Sequence, residues 1–207
     1  MNSTTATFTT AHQLILGSTS RYRRDLLERL NIAFQVVAPD VDETPMLLEA
    51  PWTLAERLAL AKARAVAAQF PQAVVIGSDQ VADLKGQSLG KPGTHDKAVT
   101  QLRQMRGQTV IFQTAVAVVC LQTGFEQCRL ASVRVKFRDL TDIEIENYLQ
   151  IEKPYDCAGS AKSEGLGIAL LDSIDSDDPT ALIGLPLIRT SQMLRAAGVE
   201  LLATRAA

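Results

Sequence analysis

Thr109-Val110-Ile111-Phe112-Gln113-Thr114-Ala115-Val116-Ala117-Val118-Val119-Cys120-Leu121, a break at Gln122-Thr123-Gly124, then Leu130-Ala131-Ser132-Val133-Arg134-Val135-Lys136-Phe137: this stretch decides the fold. Both runs are rich in Val, Thr and Phe, and the polar, glycine-containing break reads as a turn. The pair predicts a long antiparallel hairpin whose register the pattern leaves open. Outward from it, strands and helices alternate. Upstream, Leu14–Gly17 reads as an apolar strand, followed by a helix through Asp25–Leu30 with Ser20 as its N-cap. Phe34–Ala38 and Ala73–Ile76 read as further strands. Pro51–Phe70 reads as a long helix opening on a capping box of Thr53 and Glu56. A hairpin is predicted at Lys85-Gly86-Gln87, and a helix over Asp96–Met105. Downstream, Thr141 and Glu144 form a second capping box for a helix to about Gln150. A strand near Ile168–Leu171 and a helix over Pro186–Ala197 complete the chain. Alternation broken by one central hairpin predicts an α/β fold with a mixed sheet, flanking helices and two lobes. Residues 1–12 read as a flexible tail, and 13–207 as a single domain, because no linker divides them.

Composition narrows the function. The chain has 207 residues, 46% of them hydrophobic and 21% charged, with a formal net charge of −2. That balance argues against a nucleic-acid polymer as partner, since no broad basic footprint exists. Three cysteines without CxxC spacing and only two histidines, His12 and His95, argue against a zinc site or a histidine-based triad. The polar, threonine-rich start lacks the basic and apolar segments of a signal peptide, and no run approaches a membrane span. The cytoplasm is the expected compartment. There is no GxxxxGK[ST] loop and no GxSxG elbow, and Gly165-Leu166-Gly167 alone is too weak for a dinucleotide fingerprint.

One local conflict points to an anion. Arg21, Arg23 and Arg24 crowd a predicted helix start, where each cation is unfavourable by roughly 0.3–1 kcal/mol. Free backbone N–H groups, the hydroxyls of Ser18 and Ser20 and an arginine fork suit a phosphate. Solvated arginines beside a simple cap fit the segment equally well. Asp79 is predicted just past the end of an apolar strand, where α/β folds place ligands, and could hold Mg²⁺ or take a proton from water. Taken alone, it is also an ordinary turn aspartate. Glu43, beside Asp40 and Asp42, is equally a solvated loop charge, and Lys62 and Lys91 are equally surface lysines. Together, hydroxyls, cations and two carboxylates make the mixture that a triphosphate–metal complex requires.

The ordered set Ser18-x-Ser20-x-x-Arg23, Val41-Asp42-Glu43, Leu60-Ala61-Lys62-Ala63, Gly77-Ser78-Asp79-Gln80, Gly90-Lys91-Pro92, Ala158-Gly159-Ser160 and Gly184-Leu185-Pro186-Leu187 resembles the Maf family of nucleoside triphosphate pyrophosphatases. The resemblance spans about Leu14 to Leu194. It implies an inosine-triphosphatase-like fold with a cleft between lobes, a divalent metal (Mg²⁺ or Mn²⁺) and a homodimer. By motif, Asp79 would activate water. Ser18, Ser20, Arg23, Lys62 and Lys91 would hold phosphates, and Glu43 and Asp79 would approach the metal. Arg21 and Arg24 are left as surface or secondary charges. Tyr22, Gln80 and Glu164 resemble the branch acting on 7-methyl-GTP, in which the aromatic is often Trp. The dTTP/UTP branch tends to have arginine, threonine and glutamine at these positions. A cationic, N7-methylated base suits an aromatic face, by roughly 0.5–2 kcal/mol, and a carboxylate can accept from guanine N1–H and N2–H. The remaining alternatives are a dTTP/UTP pyrophosphatase and a nucleotide-binding regulator of septum formation with little turnover.

Overall fold

In the computed structural model, residues 13–202 are described; the tail expected over residues 1–12 lies outside them. The central hairpin forms as expected. β5 (Thr109–Cys120) and β6 (Phe125–Phe137) pair without interruption from Cys120↔Phe125 to Thr109↔Lys136. At about 3.4 Å per residue, strands of this length reach roughly 40 Å, enough to run through two successive cores. They sit inside a seven-stranded mixed sheet whose strands run in the order Gln35–Val37 (β2), Leu14–Gly17 (β1), Val74–Leu84 (β3), β5, β6 and Leu171–Asp175 (β7), with Gln87–Leu89 (β4) also on the third of these. β1 (Leu14–Gly17) pairs in parallel with β2 (Gln35–Val37) and with the first residues of β3 (Val74–Leu84), whereas every other pairing is antiparallel.

Alternating side chains sort the first half of the sheet onto two faces. Ile15, Val75, Ala117 and Val119 meet α2 (Pro51–Gln69), and Leu16, Ile76, Val116 and Val118 meet α1 (Arg21–Glu28) and α5 (Leu187–Ala196). Further along the same strands, Phe112, Val133 and Phe137 bury α3 (His95–Met105) and α4 (Asp142–Glu152) through Leu102, Met105, Ile145 and Leu149. The sheet thus carries two helical assemblies, in line with the predicted two lobes. No helix of the described residues is long and apolar enough to cross a membrane.

Local expectations fare unevenly. Ser20 caps α1, and Thr141 with Glu144 forms a complete capping box on α4. The hairpin from β3 to β4 (Gln87–Leu89) turns on Lys85 and Gly86, both at positive φ, and Asp83 Oδ1 accepts the Gly86 N–H at 2.7 Å. The capping box of Thr53 and Glu56 does not form. Pro51 takes the first helical position, so the cap is Ala50, and Thr53 already lies inside the first turn. The strand near Ile168–Leu171 is instead a 3-10 turn over Leu166–Leu170, followed by β7 (Leu171–Asp175). β7 is mostly exposed and polar, so its strand period carried no apolar signal.

The correction with most consequence concerns Asp79. β3 does not end before it but continues to Leu84, so Asp79 lies mid-strand. Gly77 and Asp79 weaken strand propensity locally, but β5 pairs with this segment throughout, from Val75↔Val119 to Asp83↔Ile111. On its other edge β3 pairs with β1 up to Gly77 and with β4 from Ala82. Between them, residues Ser78 to Val81 have a strand neighbour only on the β5 side. Asp79 stands in that gap, at the junction of the two assemblies.

Candidate active site

A cavity of about 400 Å³ opens at this junction, walled by the β1–α1 turn, the loops carrying Glu43 and Lys91, and the segments 156–164 and 182–184. At its helix-start end, Ser20 N–H donates to Ser18 Oγ at 3.2 Å, and Arg23 Nη1 donates to the same oxygen at 3.4 Å. Arg23 Nε donates to Gly184 O at 2.9 Å, so its fork is fixed from two sides. Burial pushes the Arg23 guanidinium below its ordinary value, while Asp79 and Glu43 pull it back up. The three arginines differ in role. Arg24 pairs on the surface with Asp25 and Glu28, as expected. Arg21 is exposed, as expected, and also lines the cavity beside Tyr22.

The deepest cation is Lys62, only 5% exposed. Its place follows from Gly77: a Cβ there would stand 2.3 Å from Ala59 O and 2.6 Å from Ala63 N. Only a glycine lets α2 lie this close to β3, which brings the Lys62 side chain onto the strand. Lys62 Nζ donates to Asp79 Oδ1 at 2.6 Å and contacts Glu43 Oε1 at 2.7 Å. Burial raises the Glu43 carboxyl, but the hydrogen bond and charge of Lys62, with Lys91 and Arg23 beyond, outweigh it and hold Glu43 below its usual value. Asp79, 8% exposed, is not part of the cavity wall and reaches it through Lys62.

Two carboxylates converging on one ammonium mark a point of concentrated negative charge. Among the described residues no group of three or more His, Cys, Asp or Glu could hold a metal. A Mg²⁺-type ion needs less, however: one or two carboxylates, with waters and substrate phosphates completing the octahedron. Glu43 and Asp79 fit that donor set.

The other end of the cavity brings together Tyr22 and Glu164, with Gln80 in the wall between. Gln80 also has a structural role, because its amide NH₂ is shared among Thr114 Oγ1, Ala181 O and Leu182 O at 2.9–3.0 Å. With Ser78 Oγ, 3.0 Å from Gly184 O, it clamps the segment that orients Arg23. Burial raises the Glu164 carboxyl, and Glu152 and Asp156 add to the rise against the opposing charge of Lys162. Sequence reasoning missed Asp156 and Cys157, which also line this end. Their only trace was position, just before the Ala158-Gly159-Ser160 motif. The Cys157 thiol is pushed up to about 12, first by burial and then by Asp156, so it stays neutral and unreactive.

Residues 13–197 match the family described as Maf-like protein. A protein of Polaromonas sp. named 7-methyl-GTP pyrophosphatase is 74% identical over 201 residues, covering 97% of this chain and 92% of its own length. Proteins of the same name from Albidiferax ferrireducens and Aromatoleum aromaticum are 70% and 60% identical, over 92% and 91% of this chain and 96% and 97% of theirs.

Proposed function

We propose that this chain, which belongs to the Maf-like family, is a nucleoside triphosphate pyrophosphatase that hydrolyses 7-methyl-GTP to 7-methyl-GMP and pyrophosphate. The observation that carries the reading is one cavity with two chemically distinct ends. Ser18, Ser20, Arg23, Lys62 and Lys91 supply hydroxyls and positive charge at one, Tyr22 and Glu164 supply a ring and a carboxylate at the other, and Gln80 lies in the wall between them. The relatives' shared name supports the choice of base over dTTP or UTP.

In this reading the phosphate oxygens draw the Lys62 ammonium from its carboxylates, and Lys91 and Arg23 hold the remaining charge. A water then forms a bond to the α-phosphorus as the bridging α–β oxygen departs with pyrophosphate. Asp79 takes the water's proton. A divalent cation held by Glu43 and Asp79 would supply charge neutralisation on the phosphates. Hydrolysis in ¹⁸O-water tests the position of attack. Label in the nucleoside monophosphate is expected; label in pyrophosphate, or formation of the diphosphate, would contradict it.

The cytoplasm and a homodimer belong to the same reading. Leu47 and Leu48, 93% and 95% exposed next to the Glu43 loop, support self-association through an apolar surface. Sedimentation velocity should return about twice the 22.4 kDa chain mass, and a monomer at micromolar concentration would contradict the dimer.

A further inference from the structure

Resting on the reading of this cavity as a nucleotide site, we infer that Arg21 is a built-in competitor for the base subsite and that Asp156 makes the exchange selective for a cationic base. Arg21 Cζ lies 4.8 Å from the centroid of the Tyr22 ring, and its Nη2 donates to Tyr22 Oη at 2.8 Å. The ring therefore already holds a cation at cation–π distance. Tyr22 O–H in turn faces Asp156 Oδ1 at 3.5 Å. Asp156, Glu164, Tyr22 and Arg21 all line the same end of the cavity.

Two cations approach this ring, and they are held differently. Lys162 Nζ, 5.8 Å from the centroid, is tied to Glu152 Oε1 at 2.6 Å, with both side chains largely buried. Arg21 is exposed and forms no ion pair among the described residues. Its partner is Tyr22 itself, so Arg21 is the cation that can leave. A base that stacks on Tyr22 must displace it. When Arg21 leaves, Asp156 loses the positive charge beside it, while Lys162 still faces Glu164. An N7-methylated guanine restores that charge, whereas an unmethylated guanine leaves Asp156 without it. The exchange of one cation for another gives the site a preference that the Tyr22 ring alone would not supply.

The test is calorimetric titration of the full chain with 7-methylguanosine and with guanosine, nucleosides that lack phosphates and need no turnover. Arg21→Ala should bind 7-methylguanosine about three- to tenfold more tightly than the parent protein, as loss of a competing exposed cation–π contact allows. Its gain for guanosine should be similar, since either base must displace Arg21 and the selectivity rests on Asp156. Asp156→Asn should weaken 7-methylguanosine more than guanosine, with an unchanged melting temperature showing that the cavity wall is intact. Unchanged or weaker 7-methylguanosine binding in Arg21→Ala, equal losses for both nucleosides in Asp156→Asn, or no measurable binding of either would overturn the inference. A chain that binds the nucleosides as expected but releases no pyrophosphate would instead contradict the hydrolytic reading.

Discussion

Asp79 and Lys62 illustrate how a single residue's role depends on its partner. Lys62 Nζ stands 2.6 Å from Asp79 Oδ1 and 2.7 Å from Glu43 Oε1, so one ammonium balances both carboxylates. In the proposed reaction a phosphate chain entering the cavity would compete for that ammonium, and the same event would free Asp79 to accept a proton. Asp79→Asn keeps the volume and removes the charge. It should lower kcat about 10²–10⁴-fold, the usual contribution of a positioned base, while nucleotide binding persists because Lys62 keeps its place and loses a competitor. Rapid-quench turnover together with a binding titration checks this, and near-normal kcat would put the base elsewhere.

At the scale of elements, the Glu43 loop is held by an ion pair outside the cavity. Arg57 on α2 donates to Glu49 at 2.6 and 2.8 Å and to Thr44 O at 3.1 Å, while Glu49 also accepts the Met46 N–H. The hydrogen bonds from Arg57 are the main cause that holds the Glu49 carboxyl down at about 2; burial opposes them and the Met46 N–H assists. A carboxyl depressed on folding stabilises the fold above its unfolded value, near 4.3, and loses that contribution as pH falls toward 2. Glu49→Gln should therefore cost on the order of 1 kcal/mol at neutral pH, about 2–4 °C in Tm for a chain of this size. The gap between the two proteins should close from about pH 4.5 downward. A pH-independent gap in paired melting curves would assign the effect to packing alone.

Elements also show what the sequence could reveal. The caps at Ser20 and Thr141 and the Lys85-Gly86 turn were legible because each is closed by bonds between near neighbours. The continuation of β3 past Asp79 was not, because what holds it is β5, distant in sequence, and the local residues argue against it. The motif residues Arg23, Glu43, Lys62 and Asp79 were identifiable by type and order. Their meeting at Lys62 depends on the close approach at Gly77, which a list of residues does not display. Arg21 and Asp156 escape such a list for the same reason: they belong to one wall only after α1 and the segment following α4 converge.

Over the whole molecule, the long strands β3 and β5 carry one helical assembly at each end and leave an open strand edge between them. Asp79 stands in that gap beside Lys62, and one cavity reaches from Lys62 along the β1–α1 turn to Tyr22 and Glu164. In the proposed function, phosphate chemistry and base recognition would therefore share one continuous sheet. The most direct measurement is pyrophosphate release from 7-methyl-GTP, GTP, dTTP and UTP, each with Mg²⁺ and with Mn²⁺. A kcat/KM highest for 7-methyl-GTP, at least tenfold above GTP and dependent on the divalent cation, is the predicted result. Preference for UTP or dTTP, or equal release without any divalent cation, would contradict it.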